Sequence, residues 1–253
     1  MKAVVVYKWA RNAADAIVRS DGSIDWRNAR MVAGEDDPAA LAAAHQIAAD
    51  TGGTVVGLTL GDGDASWALA RGVEQAFSVA DAPCLADNGA TATVLAAAVR
   101  QIGDVDVVVI GDSEQELGVP VALAGELGWP ALAGLRSASM PAGRLHVVRR
   151  TGAELQTLTL GTPVVLCVSA ESDADQVPGM KELLAARKRP LTALRVSDLV
   201  PVPVDVDSIG CRRPDSTPTR VFRGEPAQVA AQLVAALRGE GVLTSEPIRK
   251  GDR

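Results

Sequence analysis

A short run of β-branched residues, a turn, an alanine-rich helical stretch and then another such run is the pattern that most constrains this chain. Residues 2–7 open the first run, and 54–60 and 105–110 repeat it, each closed by a turn signal or glycine. Between them, Asp37-Pro38 marks a helix start that runs through 39–49 and stops near Thr51-Gly52-Gly53. Further helices are expected over 65–72 and 90–101, with a short strand at 75–80. Strands alternating with helices in this order predict a mostly parallel, doubly wound α/β sheet with right-handed crossovers. Continuous apolar runs, rather than alternating ones, fit strands covered on both faces. The composition agrees: 47% of the 253 residues are hydrophobic but only 3% are aromatic, so Ala, Val and Leu must build the core.

Ligand sites in such sheets open beyond the carboxyl ends of the strands. Here the loops at 8–10, 61–64 and 111–118 qualify. Residues 8–33 hold few periodic apolar positions and carry the turn Ser20-Asp21-Gly22-Ser23, which predicts a loop or a hairpin. In the loop Gly111-Asp112-Ser113-Glu114-Gln115-Glu116-Leu117-Gly118, main-chain amides at a helix start could hold a phosphate. The same acids could equally serve the helix dipole alone.

Past residue 140 the pattern changes. Residues 144–149 and 155–160 alternate about a turn containing Thr151-Gly152, which predicts an antiparallel hairpin. Residues 163–169 read as one more buried strand. Val177-Pro178-Gly179-Met180-Lys181 reads as a loop that presents Met180 to a partner or tucks it onto the core, and Arg187-Lys188-Arg189 as a solvated face. The stretch 196–219, with Pro201, Pro203, Pro214 and Pro218, is an extended arm ahead of a last helix over 224–238. The division expected is a nucleotide-binding-like domain at 1–195, followed by an arm and terminal helix at 196–253 that pack on a partner.

Several classes of function are disfavoured. A net charge of −6 argues against nucleic acid as a main partner. No run reaches the roughly 18 apolar residues that a membrane span needs. Cys84, Cys167 and Cys211 form no CxxC pair, and His45 and His146 lie far apart, so all five read as structural and the compartment as cytoplasmic. No G-x-S-x-G or P-loop pattern supports a hydrolase or an NTPase.

Three pieces in order carry a family likeness. The first is Leu127-Gly128-Trp129-Pro130. The second is the hairpin Val148-Arg149-Arg150-Thr151-Gly152, continuing through Leu155-Gln156-Thr157-Leu158 to Pro163-Val164-Val165. The third is Pro178-Gly179-Met180-Lys181-Glu182-Leu183-Leu184 with the basic segment after it. Together they resemble the β subunits of electron transfer flavoproteins, and a weaker similarity spans residues 1 to about 240.

The resemblance implies an electron-carrier subunit rather than an enzyme. It implies a heterodimer with an α subunit that holds most of the FAD, an adenine-nucleotide site for AMP, and a docking loop for a flavin-dependent dehydrogenase. Carried over by position, Val6, Asp36, Leu60, Ser113, Glu114, Gln115, Gly118 and Val119 line the nucleotide pocket, and Met180 is the docking anchor. The chain departs from the pattern where the family's Asn-Pro-Phe-Asp/Cys-Glu becomes Gly34-Glu35-Asp36-Asp37-Pro38. It departs again where Asn-Gln-Thr-Gly becomes Leu117-Gly118-Val119-Pro120. Each lost hydrogen bond to a phosphate costs about 1.5–3 kcal/mol, so AMP binding is expected to weaken by a few powers of ten. The alternative reading is a stand-alone adenine-nucleotide-binding regulator of the universal-stress-protein type.

Overall fold

A computed structural model describes residues 1–61, 64, 66–82, 87–112, 118–169, 178–189, 191–199, 209–210, 212–215 and 219–243. The chain divides into two units, Met1–Cys211 and Arg212–Arg253.

The first unit is organised by a nine-stranded sheet. Its strands in chain order are β1 (Lys2–Val6), β2 (Thr54–Leu60), β3 (Gln75–Val79), β4 (Val107–Gly111), β5 (Ala131–Ser139), β6 (Leu145–Thr151), β7 (Glu154–Leu160), β8 (Val164–Val168) and β9 (Leu191–Leu194). In space they run β7-β6-β5-β8-β4-β1-β2-β3-β9. The stretch from β5 to β9 is parallel throughout, and β6 and β7 extend it antiparallel. The register sets Val6 opposite Leu58 on one side and Ile110 on the other.

Successive side chains on a strand point to opposite faces, so each buried strand feeds two cores. Ala3, Val5 and Tyr7 join a cluster with helix α1 (Asp37–Thr51), while Val4 and Val6 join one with α3 (Asn88–Ile102) and α4 (Gly118–Leu127). The helices on both faces confirm the doubly wound α/β architecture. Small residues on α1, among them Ala39, Ala40, Ala43 and Ala44, are buried and let its backbone lie close across β1, β4 and β5. The helix ends at Gly52, whose φ of 61° closes it in the left-handed conformation that glycine adopts without strain. Each fully buried Leu or Val, such as Leu58 and Val109, stabilises the fold by about 1.5–3 kcal/mol.

Several elements differ from the expectation. The hairpin is one strand larger, because Ala131–Ser139 forms β5 and pairs antiparallel with β6. Leu191–Leu194 adds β9 at the far edge, parallel to β3. Met180 opens helix α5 (Met180–Ala186), with Gly179 as its N-cap, so the Pro-Gly signal marks a helix start and not a loop. Arg189 is not simply solvated: its guanidinium donates to the carbonyls of Leu69 (3.2 Å) and Glu74 (2.6 Å), tying the segment after α5 to the helix Ser66–Ala70 and to the turn before β3. Short α2 (Ser66–Ala70) packs against α5, and α6 (Val196–Leu199) against α3.

The second unit contains α7 (Pro226–Gly239), a 14-residue helix that buries none of its residues. No described helix is long and apolar enough to cross a membrane.

Candidate functional site

The strand order reverses between β1 and β4. Chain leaving β1 goes on to α1 on one face, whereas chain leaving β4 goes to α4 on the other, which leaves a cleft at their carboxyl ends. Three segments meet there: Tyr7 and Lys8 after β1, the start of α1, and Gly111 with Asp112 ending β4.

At the start of α1 the N-cap is Asp36, which makes no side-chain cap, and Asp37 is already helical. The expected cap at Asp37 is therefore displaced by one residue, and its carboxyl group turns inward. Asp37 is 5% exposed, and its Oδ2 accepts the amide N–H groups of Lys8 (2.9 Å) and Gly34 (2.7 Å). Burial pushes this carboxyl up to about 7, against the pull of those two amides. Asp36 pushes in the same direction as burial and the Lys8 charge opposes it. Gly111 is where this helix start touches β4. A Cβ there would lie 2.9 Å from the Cβ of Asp36 and 3.2 Å from Oδ1 of Asp37.

Tyr7 lies beside this group. Its ring stacks on Trp67 at 5.2 Å between centroids, and the Arg71 guanidinium sits over the Trp67 ring at 4.5 Å. Among the described residues the phenol oxygen is buried without a hydrogen-bond partner, as is the hydroxyl of Thr59. Burial, then the nearby Asp64 and Asp37, hold the Tyr7 phenol well above its ordinary value. Across the cleft, Oδ2 of Asp112 accepts the Gly134 amide (2.9 Å), which fixes the end of β4 to β5.

The residues expected from the sequence divide into three groups. Val6 and Val119 are buried in the cluster beneath α3 and α4, with Leu60 packed against it, so the fold brings these three together through their side chains. Gly118 begins α4, where a Cβ would lie 2.5 Å from Nδ2 of Asn88. Asp36 stands on the opposite face against Gly111. Ser113, Glu114 and Gln115 lie outside the described residues. Met180 stands apart on α5 and is 72% exposed. Sequence reasoning missed Asp37 and Tyr7 as site residues. For Asp37 the signal was present in the doubled acid before Pro38, since only one of the two can occupy the cap position.

Among the described residues no cluster of three or more His, Cys, Asp or Glu could hold a metal ion. Of the two histidines, His45 shares a hydrogen bond of 2.8 Å with the Arg71 carbonyl, and His146 one of 3.2 Å with Thr159. Cys167 is buried in β8, and Cys84 and Cys211 lie outside the described residues.

The family model for the electron transfer flavoprotein domain matches residues 27–199, about two-thirds of the chain. That span takes in α1, the end of β4 at the cleft, the antiparallel extension and α5. On this match the chain belongs to the electron transfer flavoprotein domain family.

Proposed function

We propose that the chain is the β-subunit-like half of a heterodimeric electron transfer flavoprotein. It clamps an α subunit that carries the FAD and docks a flavin-dependent dehydrogenase. Members of this family carry electrons rather than catalyse, and that is the role proposed for this chain. The flavin supplies the redox chemistry; this chain supplies position and electrostatics.

The observation that carries the reading is α7. Its Val229, Leu233, Ala236 and Leu237 fall at helical spacing, yet the helix buries no residue, and Leu233 and Val234 remain 45% and 37% exposed. An amphipathic helix gains most of its stability from packing its apolar face, so this one calls for a partner surface. Met180 supports the dehydrogenase side of the proposal. An unbranched, exposed apolar side chain at the first turn of α5 can fill a pocket of irregular shape.

The described part of the strand-switch cleft does not suit AMP. Phosphate would be held by main-chain N–H groups, but those of Lys8 and Gly34 already serve Asp37. Two carboxyl groups, from Asp36 and Asp37, stand at the start of α1, where a phosphate would need positive potential. Pro120 offers no N–H in the first turn of α4. Adenine nucleotide is therefore not part of the proposed chemistry.

Co-expression with the flavin-bearing subunit, followed by size-exclusion chromatography read at flavin wavelengths, tests the proposal. A yellow one-to-one complex, with this chain colourless alone, is the expected result. A colourless species that ignores the α subunit would overturn it and return the stand-alone nucleotide-binding reading.

A further inference from the structure

Residues 9–33 leave the sheet after β1 and return just before α1. Between those points they pair with themselves. Trp9–Arg11 pairs with Met31–Ala33 as an antiparallel stem, and Ile17–Val18 with Ile24–Asp25 as an outer hairpin. Arg30 binds Asp15 at 2.8 Å, while Asp25 takes Arg27 at 2.6 Å and Arg19 at 2.9 Å. Only Gly22 and Ala29 of this arm are fully buried.

The two residues that flank the arm, Lys8 and Gly34, are the two whose amides Asp37 accepts. One carboxylate oxygen therefore closes the base of the arm against the carboxyl edge of the sheet. We propose that Asp37 is a proton-linked clasp: its carboxyl group joins the two ends of the 9–33 arm, and opening of that base is coupled to loss of the Asp37 proton.

Two states define the coupling. In the clasped state the carboxyl is 5% exposed. The charged and titratable groups around it are Tyr7 and Lys8 from the end of β1 and Asp36 from its own helix start. Asp112 follows Gly111 at the end of β4, and Asp64, in the loop after β2, acts with Asp37 on the Tyr7 phenol. Burial outweighs the two amides, and the clasped carboxyl titrates near about 7. Opening the base puts it in water, where an aspartate titrates at about 3.9. The state with the higher proton affinity is the one that protons favour. Clasping is therefore strongest below about pH 4 and weakens about tenfold per pH unit up to about 7, after which it levels off.

The coupling stands on the position of Asp37 within this chain and is independent of the partner subunit. Hydrogen exchange on the full chain at pH 5, 6, 7 and 8, divided by the intrinsic rate, reads the opening directly. Protection of the Lys8, Gly34 and Asn12 amides is expected to fall about 50-fold from pH 5 to 7 and to flatten by pH 8, while Ile47 in α1 does not follow. Asp37→Asn keeps an acceptor oxygen without the charge, and its arm protection is expected to be independent of pH. A wild-type arm with flat protection, or the same slope in Asp37→Asn, would overturn the clasp. Should that variant fail to fold, the carboxyl ¹³C shift of Asp37 in the wild-type chain decides. A midpoint near 7 supports the clasp, and one near 4 refutes it.

Discussion

Gly111→Ala tests whether the start of α1 is seated on the end of β4, as the strand-switch geometry requires. The added Cβ would stand 2.9 Å from the Cβ of Asp36, 3.2 Å from Oδ1 of Asp37 and 3.3 Å from the main-chain carbon of Asp36. Relaxed contacts between carbon atoms fall at about 3.5–4.0 Å. Neither obstacle gives way easily. The Asp36 atoms belong to the backbone and its first side-chain carbon, and the Asp37 carboxyl cannot rotate without losing the Lys8 and Gly34 amides. Relief needs α1 to move outward by several tenths of an ångström, against its contacts with β1 and β5. Overpacking of this kind costs about 1–3 kcal/mol, and the lower chain entropy of alanine returns about 0.4–1 kcal/mol. The net expectation is a destabilisation of about 1–2 kcal/mol. For a domain of this size that lowers Tm by about 2–8 °C, followed by far-UV circular dichroism and tryptophan fluorescence. Gly125→Ala in α4 is the control. No atom lies within 4 Å of its added carbon, and helix propensity should make it more stable by up to about 1 kcal/mol. A Gly111→Ala chain as stable as the parent would show that α1 does not rest on β4, and the cleft described above would be wrong.

Tyr7→Phe removes a buried phenol oxygen that has no partner among the described residues while keeping the ring on Trp67. Stability in urea is expected to hold or rise by about 1 kcal/mol, and a loss above that size would mean the hydroxyl has a partner. Cys167 is pushed up to about 12, first by burial and then by Asp112, so its thiolate is scarce at pH 8. Peptide mapping after iodoacetamide treatment at pH 8 should find Cys167 unmodified until denaturant is added. On the proposed function, Met180→Glu, at an exposed position, leaves the melting curve unchanged but slows electron transfer from the proposed dehydrogenase partner at least tenfold. Unchanged transfer would remove Met180 from the docking surface.

The strands that carry the parallel core were legible because their burial on both faces demands long runs of Val, Ile and Leu. β1, β2, β4 and β8 all show it. β5 was not legible. Its sequence, Ala-Leu-Ala-Gly-Leu-Arg-Ser-Ala-Ser, has no β-branched residue and carries Gly134 at a φ of 70°, so local preference opposes a strand. What holds it is pairing with β8 on one side and β6 on the other, information that lies from seven to more than thirty residues away in sequence. β9 is similar: four residues at the sheet edge, positioned by register with β3. The helix start at Asp37-Pro38 was legible to within one residue, yet that one residue decides that Asp37 lies inside the helix and turns its carboxyl inward rather than capping. Capping preference is local. The inward turn depends on Lys8, far back along the chain, and only the fold shows it.

The same division between local and distant information bears on the candidate pocket residues. Val6 and Val119 have their side chains committed to the apolar cluster beneath α3 and α4, so only their main-chain atoms can face the cleft. At such positions a family's residue type records packing, and any β-branched or similar apolar residue would serve. Asp36, Asp37 and Gly111 differ, because their identities set the contact that closes the cleft on its α1 side: a Cβ at Gly111 would meet both acids, and a neutral apolar residue at 37 would release two amides. Released in that way, the Lys8 and Gly34 N–H groups would become donors for an anion at the start of α1. A ligand-binding cleft and a self-clasped one are therefore distinguished here by the side chains on α1, not by the strands that frame it.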